Sequence, residues 1–188
     1  MITREKALQL LHEHMQNPNL RRHCYSVEAV MRELARYFRE SEDTWGTVGL
    51  LHDGDYEETK STPEKHTLYV AEWLKKSGEK DKEILSAILS HNFAHTGQNS
   101  PKNKLEWSLY CCDELTGFIV AVALVKPDRK LSSVTVDSVL KKWPQRSFAS
   151  GVKREQVAEC ESRLGIPLKE FVKIALSAMQ AISQDLGL

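Results

Sequence analysis

The dipeptide His52-Asp53 constrains this 188-residue chain more than any other feature. It closes an apolar run, Thr47-Val48-Gly49-Leu50-Leu51, and opens the turn Gly54-Asp55-Tyr56-Glu57. Four further metal-capable residues, His23, His66, His91 and Asp113, fall where a helical pattern expects an apolar residue. His23 stands one turn before Val27 and two before Met31, and His91 stands one turn after Ile88. His66 precedes Val70 by one turn, and Asp113 follows Leu109 by one and Leu105 by two. Residues three or four apart share a helix face, so all four point toward a core. Imidazoles and carboxylates are costly there unless something satisfies them. A single buried histidine is ordinarily hydrogen-bonded to its neighbours. Six such groups on separate segments point instead to convergence on a divalent cation.

The rest of the chain reads as helix nearly throughout. Alternation of apolar and polar residues is absent, and no Asn-Gly or Asp-Gly turn joins two strand-like runs. The pattern predicts helices from Thr3 to about His14, from Asn17-Pro18-Asn19 through Phe38, and from Ser41 to His52. Residues 54–62 read as a loop. A fourth helix is expected from Thr62-Pro63-Glu64 to Ser77-Gly78, carrying His66, and a fifth from Asp81 to His91. A polar loop spans Phe93 to Asn103, and a sixth helix runs from Leu105 through the apolar Phe118–Val125. Lys126-Pro127-Asp128 breaks it. Three more helices are expected, over Val134–Trp143, Lys153–Leu164 and Pro167–Asp185. The expectation is an all-α fold. Residues 1–188 form one domain, with a bundle core over about 18–125 and a helical extension over 126–188 packed on it.

Bulk composition narrows the partners. Hydrophobic residues make up 41% of the chain and charged residues 28%, enough for both a core and a soluble surface. The formal net charge is zero, so nothing global favours nucleic acid or an acidic membrane. The longest uninterrupted apolar stretch, Phe118–Val125, is too short to span a bilayer, and the charged N-terminus does not resemble a signal peptide. Cys24, Cys111, Cys112 and Cys160 form no C-x-x-C pair and read as reduced, buried thiols. The expected location is the cytoplasm.

Imidazole nitrogen combined with carboxylate oxygen suits first-row transition ions such as Mn, Fe, Co, Ni or Zn better than Ca or Mg. Bound to such an ion, water loses a proton near neutral pH. The ordered set His23, His52-Asp53 and Asp113 resembles the H…HD…D signature of the HD-domain superfamily of metal-dependent phosphohydrolases, and the context Gly49-Leu50-Leu51-His52-Asp53 is typical of it. The resemblance covers roughly Leu20 to Thr116. It implies an HD-like helical bundle in which His23, His52, Asp53 and Asp113 bind a first metal. Some branches insert two histidines between the doublet and the last Asp and hold two ions bridged by the doublet Asp. His66 and His91 occupy that interval here, so the resemblance implies one or two ions, with Asp53 bridging in the two-ion case. The activity implied is hydrolysis of a phosphoester or phosphoanhydride in a small phosphorylated substrate, with a nucleotide as the leading class. Two rivals stay open: di-iron oxygenases of the same superfamily use the same six-ligand pattern, and a metal- or nucleotide-binding module would need no turnover.

Two further expectations concern residues outside the ligand set. A leaving alkoxide needs a proton donor within hydrogen-bond reach. Asp55, Glu57 and Glu58 follow the doublet, and Glu57 is the candidate catalytic acid. Residues 126–154 hold eight basic residues against Asp128 and Asp137, a stretch that reads either as the lining of a nucleotide cleft or as a solvated face. His95 lies one turn after His91 but among loop signals, and His12 and His14 are given no role.

Overall fold

The computed structural model describes residues 2–188, and no strand occurs among them. Half of the α-helices, including the two longest, begin where a side chain satisfies their first free N–H groups. Thr3 opens α1 (Arg4–His14) by accepting from Lys6 N–H, and Asn17 opens α2 (Pro18–Phe38) with proline in its first turn. Ser41 caps α3 (Glu42–Leu51). A one-turn helix, α4 (Tyr56–Thr59), is followed by a 3-10 turn over Pro63–Lys65 and by α5 (Leu68–Lys76). Asp81 caps α6 (Lys82–His91), a single turn α7 (Phe93–Thr96) follows, and Asn103 caps α8 (Lys104–Leu124). The chain ends with α9 (Val136–Lys142), α10 (Arg154–Leu164), α11 (Leu168–Ala181) and the short α12 (Ser183–Leu186). The protein is therefore all-α, as the periodicity predicts.

Helix α2 is the hub. Its apolar stripe, Val27, Val30, Met31 and Leu34, is fully buried, and α3, α8 and α11 all pack on it. The α2–α3 crossing is close because of a glycine. A Cβ on Gly49 would stand 2.9 Å from both the Cα of Glu28 and the carbonyl oxygen of Val27, a gap that no side chain fits. This crossing carries the end of α3, and with it His52, up against α2. Helix α8 runs through the middle of the molecule. By length and composition it passes for a membrane-crossing segment, but 56% of its most apolar window is buried against the other helices.

The segment after residue 126 packs onto the same core. Helix α10 lies along α8 and α11 along α2, and one continuous cluster of buried apolar residues includes Ile2, Met31, Phe118, Val157 and Phe171. Part of the basic stretch is used here. The Arg154 guanidinium is buried and donates to the carbonyls of Trp143, Gln145, Ala149, Phe148 and Val152. It also sits 4.9 Å above the Phe118 ring. Arg154 therefore ties down the 143–153 segment, and its place in a phosphate cleft is corrected to a structural one.

The elements differ from the sequence-based expectation in four places, of which one is the helix expected over Pro167–Asp185, broken at Ile182 (φ −115°) into α11 and α12. Residues 54–62 contain the one-turn α4, too short for any periodicity to announce. Residues 93–103 likewise begin with the one-turn α7, closed by Gly97 at φ 67°. The helix expected to start at Thr62 is interrupted, because His66 is extended (ψ 140°) and Thr67 is left-handed at φ 72°. His66 thus sits in a break between two elements and not on a helix.

Candidate metal centre

The six predicted ligands meet at one place, and all four imidazoles turn their Nε2 atoms toward it. His23 comes from the second turn of α2, His52 and Asp53 from the end of α3, His66 from the break before α5, His91 from the last turn of α6, and Asp113 from the middle of α8. His23 Nε2 lies 2.8 Å from Asp113 Oδ1 and 3.3 Å from His52 Nε2. His52 Nε2 lies 3.5 Å from Asp113 Oδ1. Asp53 faces two ways. Its Oδ2 is 3.7 Å from His23 Nε2 and 3.6 Å from His52 Nε2, while its Oδ1 is 3.2 Å from His66 Nε2 and 3.1 Å from His91 Nε2. Donors sharing one ion through bonds of ~2.1 Å lie about 3–3.5 Å apart, so these separations match the spacing of ligands around a cation.

The far side of each ring shows how the donor atoms are aimed. His52 Nδ1 donates to the Gly49 carbonyl at 2.7 Å, and His66 Nδ1 donates to Asp55 Oδ1 at 2.7 Å. His23 Nδ1 meets the Thr116 hydroxyl at 3.3 Å. A ring that gives its Nδ1–H to a carbonyl or carboxylate keeps a lone pair on Nε2, the tautomer a metal needs. His91 differs, for its Nδ1 is buried without a hydrogen-bond partner. The donor set and its outer partners fit a divalent transition ion.

Electrostatics reflect the same crowding. At His23, His66, His91, Asp53 and Asp113 burial works against charge, and opposite charges outweigh it at all of these but His91. Despite burial, hydrogen bonding and attraction to Asp113 and Asp53 raise the His23 pKa to about 9. His66, likewise opposed by burial, is raised to about 9 by its hydrogen bonds to Asp53 and Asp55. Burial pushes His91 down, and Asp53 only partly restores it. The two aspartates resist burial too. His52, His66 and His91 hold Asp53 well below the usual carboxylate range, and His23 and His52 do the same for Asp113.

Asp55 has a role that sequence reasoning missed. It is fully buried. Besides His66, its carboxylate accepts from Thr67 N–H at 3.1 Å, Tyr69 N–H at 3.1 Å and Val70 N–H at 3.3 Å. It thereby fills the positive N-terminus of α5 and holds Thr67 in its left-handed conformation, an unfavourable one for a β-branched residue. No local motif marks this residue, because its partners lie 11 to 15 positions downstream.

Glu57 is not brought into the cluster. Its Oε2 accepts from the backbone N–H groups of Gln16, at 2.5 Å, and Asn17, at 2.9 Å, while Glu58 pairs with His14 at 3.0 Å. Both side chains brace the α1–α2 connection, so the acidic turn after the doublet is committed to structure. His95 lies on the exposed side of α7. Burial and then Lys153 lower its pKa, and it feels His66, Asp53 and Asp113 as well. That puts the His95 imidazole within electrostatic reach of the centre. Glu114, next to Asp113, accepts from Lys153 N–H at 3.1 Å and anchors that segment.

A family model described as the HD domain matches residues 20–125 of the chain. The matched span begins three residues before His23 and ends just past α8, so it takes in all six of these side chains. No similar curated protein and no similar solved structure was found.

Proposed function

The chain belongs to the HD-domain family, most of whose superfamily are metal-dependent hydrolases, and from that premise we propose that it hydrolyses a phosphoester or phosphoanhydride of a small molecule. The observation that carries the reading is the split orientation of Asp53, one oxygen toward His23 and His52 and the other toward His66 and His91. His23, His52 and Asp113 would hold one divalent ion, His66 and His91 a second, and Asp53 both. Bound there, such ions would supply hydroxide near neutral pH and positive charge for phosphoryl oxygens.

The protein's own residues supply orientation. Gly49 and Asp55 fix the rings of His52 and His66 so that their lone pairs face inward. His95, exposed on α7 and within electrostatic reach of Asp53 and Asp113, offers an imidazole outside the cluster, on the side where an anionic substrate would enter. A nucleotide is the substrate class proposed, and a neutral net charge supports a small molecule over a nucleic acid partner. The four cysteines are buried and unpaired, which supports a reducing compartment such as the cytoplasm.

The test is metal analysis followed by a panel of phosphomonoesters, cyclic nucleotides and dinucleoside polyphosphates assayed with Mn, Co, Ni and Fe. Turnover by the wild type, lost with Asp53→Ala, supports the reading. Oxygen uptake by an iron-loaded form without phosphate release, or no turnover of any kind, overturns it.

A further inference from the structure

Helix α8 carries a glycine that the fold itself does not require. Gly117 lies in the helix interior at an exposed position, and a Cβ built on it meets no atom within 4 Å. Glycine in a helix interior is less stable than alanine by about 0.5–1 kcal/mol. At Gly49 the crossing of α2 explains the residue, since a side chain there would collide with backbone. Nothing in the protein crowds Gly117. Its register offers a reason, for it follows Asp113 by one turn and so shares the face that carries a metal ligand.

That face borders a cavity of about 520 Å³ between α2, α8 and the turn at Leu186, with His23 in its wall. The volume is in the range of small-molecule sites, roughly 300–1,000 Å³. Arg22 lines the same cavity, held by Asn19 Oδ1 at 3.5 Å. The other walls are largely apolar, formed by Val120, Leu124 and Leu186, and Leu124 is 51% exposed although it is a large aliphatic residue. The polar side chains of Asn19 and Ser26 and the last residue, Leu188, complete the lining, and among the described residues no Asp, Glu, Phe, Tyr or Trp side chain lines this space.

These features belong together if a ligand occupies the cavity. A bare helix backbone is where a ligand can approach most closely, and apolar walls favour an uncharged group. A guanidinium next to a metal ligand suits phosphate oxygens. We infer that the substrate carries an uncharged, flat ring group seated against Gly117 between Val120, Leu124 and Leu186, with its phosphate between the metal centre and Arg22. This rests on the phosphoester reading above. The base of a nucleoside phosphate and the ring of an aryl phosphate share this chemistry, and the experiment separates them.

Calorimetric titration of the metal-loaded protein with phenylphosphonate, the phosphonate analogue of adenosine monophosphate, and methylphosphonate tests it. At least one ring-bearing compound is expected to bind about tenfold or more tightly than methylphosphonate. The one with the larger margin identifies the occupant. Gly117→Leu should erase the margin while metal content and melting temperature hold. Leu124→Glu, on the exposed rim, should reduce the margin too, and serves if the first variant folds poorly. Equal or undetectable binding of all three by the wild type, or a margin that survives both substitutions, overturns the inference. A margin without turnover of any phosphoester would sink the hydrolase reading alone, and turnover without a margin would sink the cavity alone.

Discussion

Asp55 Oδ1 and His66 Nδ1 share a hydrogen bond of 2.7 Å, and through it a fully buried carboxylate decides which way a candidate metal ligand points. The same carboxylate closes the N-terminus of α5 and keeps Thr67 left-handed. One residue therefore joins local backbone strain to the geometry of the site. Asp55→Asn retains shape and some acceptor capacity but removes the charge. It should weaken the ion held by His66 and His91 by roughly 10–100-fold and leave the ion at His23 and His52 in place. Competitive chelator titration of wild type and variant measures both affinities. Equal weakening of both ions, or of neither, would contradict the assignment.

Gly49 and Gly117, both on helices of the site, should respond oppositely to alanine. At Gly49 the added Cβ meets backbone atoms at 2.9 Å, so α2 and α3 must separate. Gly49→Ala should cost about 1–3 kcal/mol and reduce metal content, because His52 moves away from His23. At Gly117 the space is open, and alanine should stabilise the protein by about 0.5–1 kcal/mol. Chemical denaturation of both variants checks the signs.

The pH dependence of the metal-free protein follows from the raised histidines. His23 and His66 reach about 9 in the fold, above the ~6.5 of an unfolded chain. A folded-state pKa above the unfolded value means stabilisation that is complete below about pH 6.5 and lost as pH rises through 9. The melting temperature of chelator-treated protein should therefore fall between pH 6.5 and 9. Ion binding must displace those protons, so metal affinity should rise across the same window. A metal-free melting temperature that climbs toward pH 9 would contradict this.

Arg154 should matter for stability and not for metal. Its buried guanidinium satisfies carbonyls of the 143–153 segment and rests on Phe118. Arg154→Ala should cost on the order of 3 kcal/mol and expose that segment to proteolysis, with metal content unchanged. Lysine should rescue little, because a point charge cannot serve the fan of acceptors.

Much of this was legible in the sequence for identifiable reasons. The stripes of α2, α6 and α8 repeat often enough for the period to place His23, His91 and Asp113 on inward faces. Thr3, Asn17, Ser41 and Asp81 mark helix starts through local chemistry, and the structure uses each one. What was not legible depends on distant contacts. The break at His66 exists because Asp55 reaches across to Thr67 and α5, and no window of neighbouring residues contains that fact. Glu57 looked catalytic from its nearness to the doublet in sequence, but its carboxylate is taken up by Gln16 and Asn17. Counting charges over 126–154 could not separate the buried Arg154 from exposed neighbours such as Lys141. Gly117 carries no signal until the empty space beside it is seen.

The most direct test of the account is an anomalous-scattering map from crystals of the metal-loaded protein. It predicts two peaks, one among His23, His52 and Asp113 and one against His66 and His91, with the carboxylate of Asp53 reaching both. A map with a single peak that Asp53 does not touch, or with metal bound away from these six side chains, would contradict it.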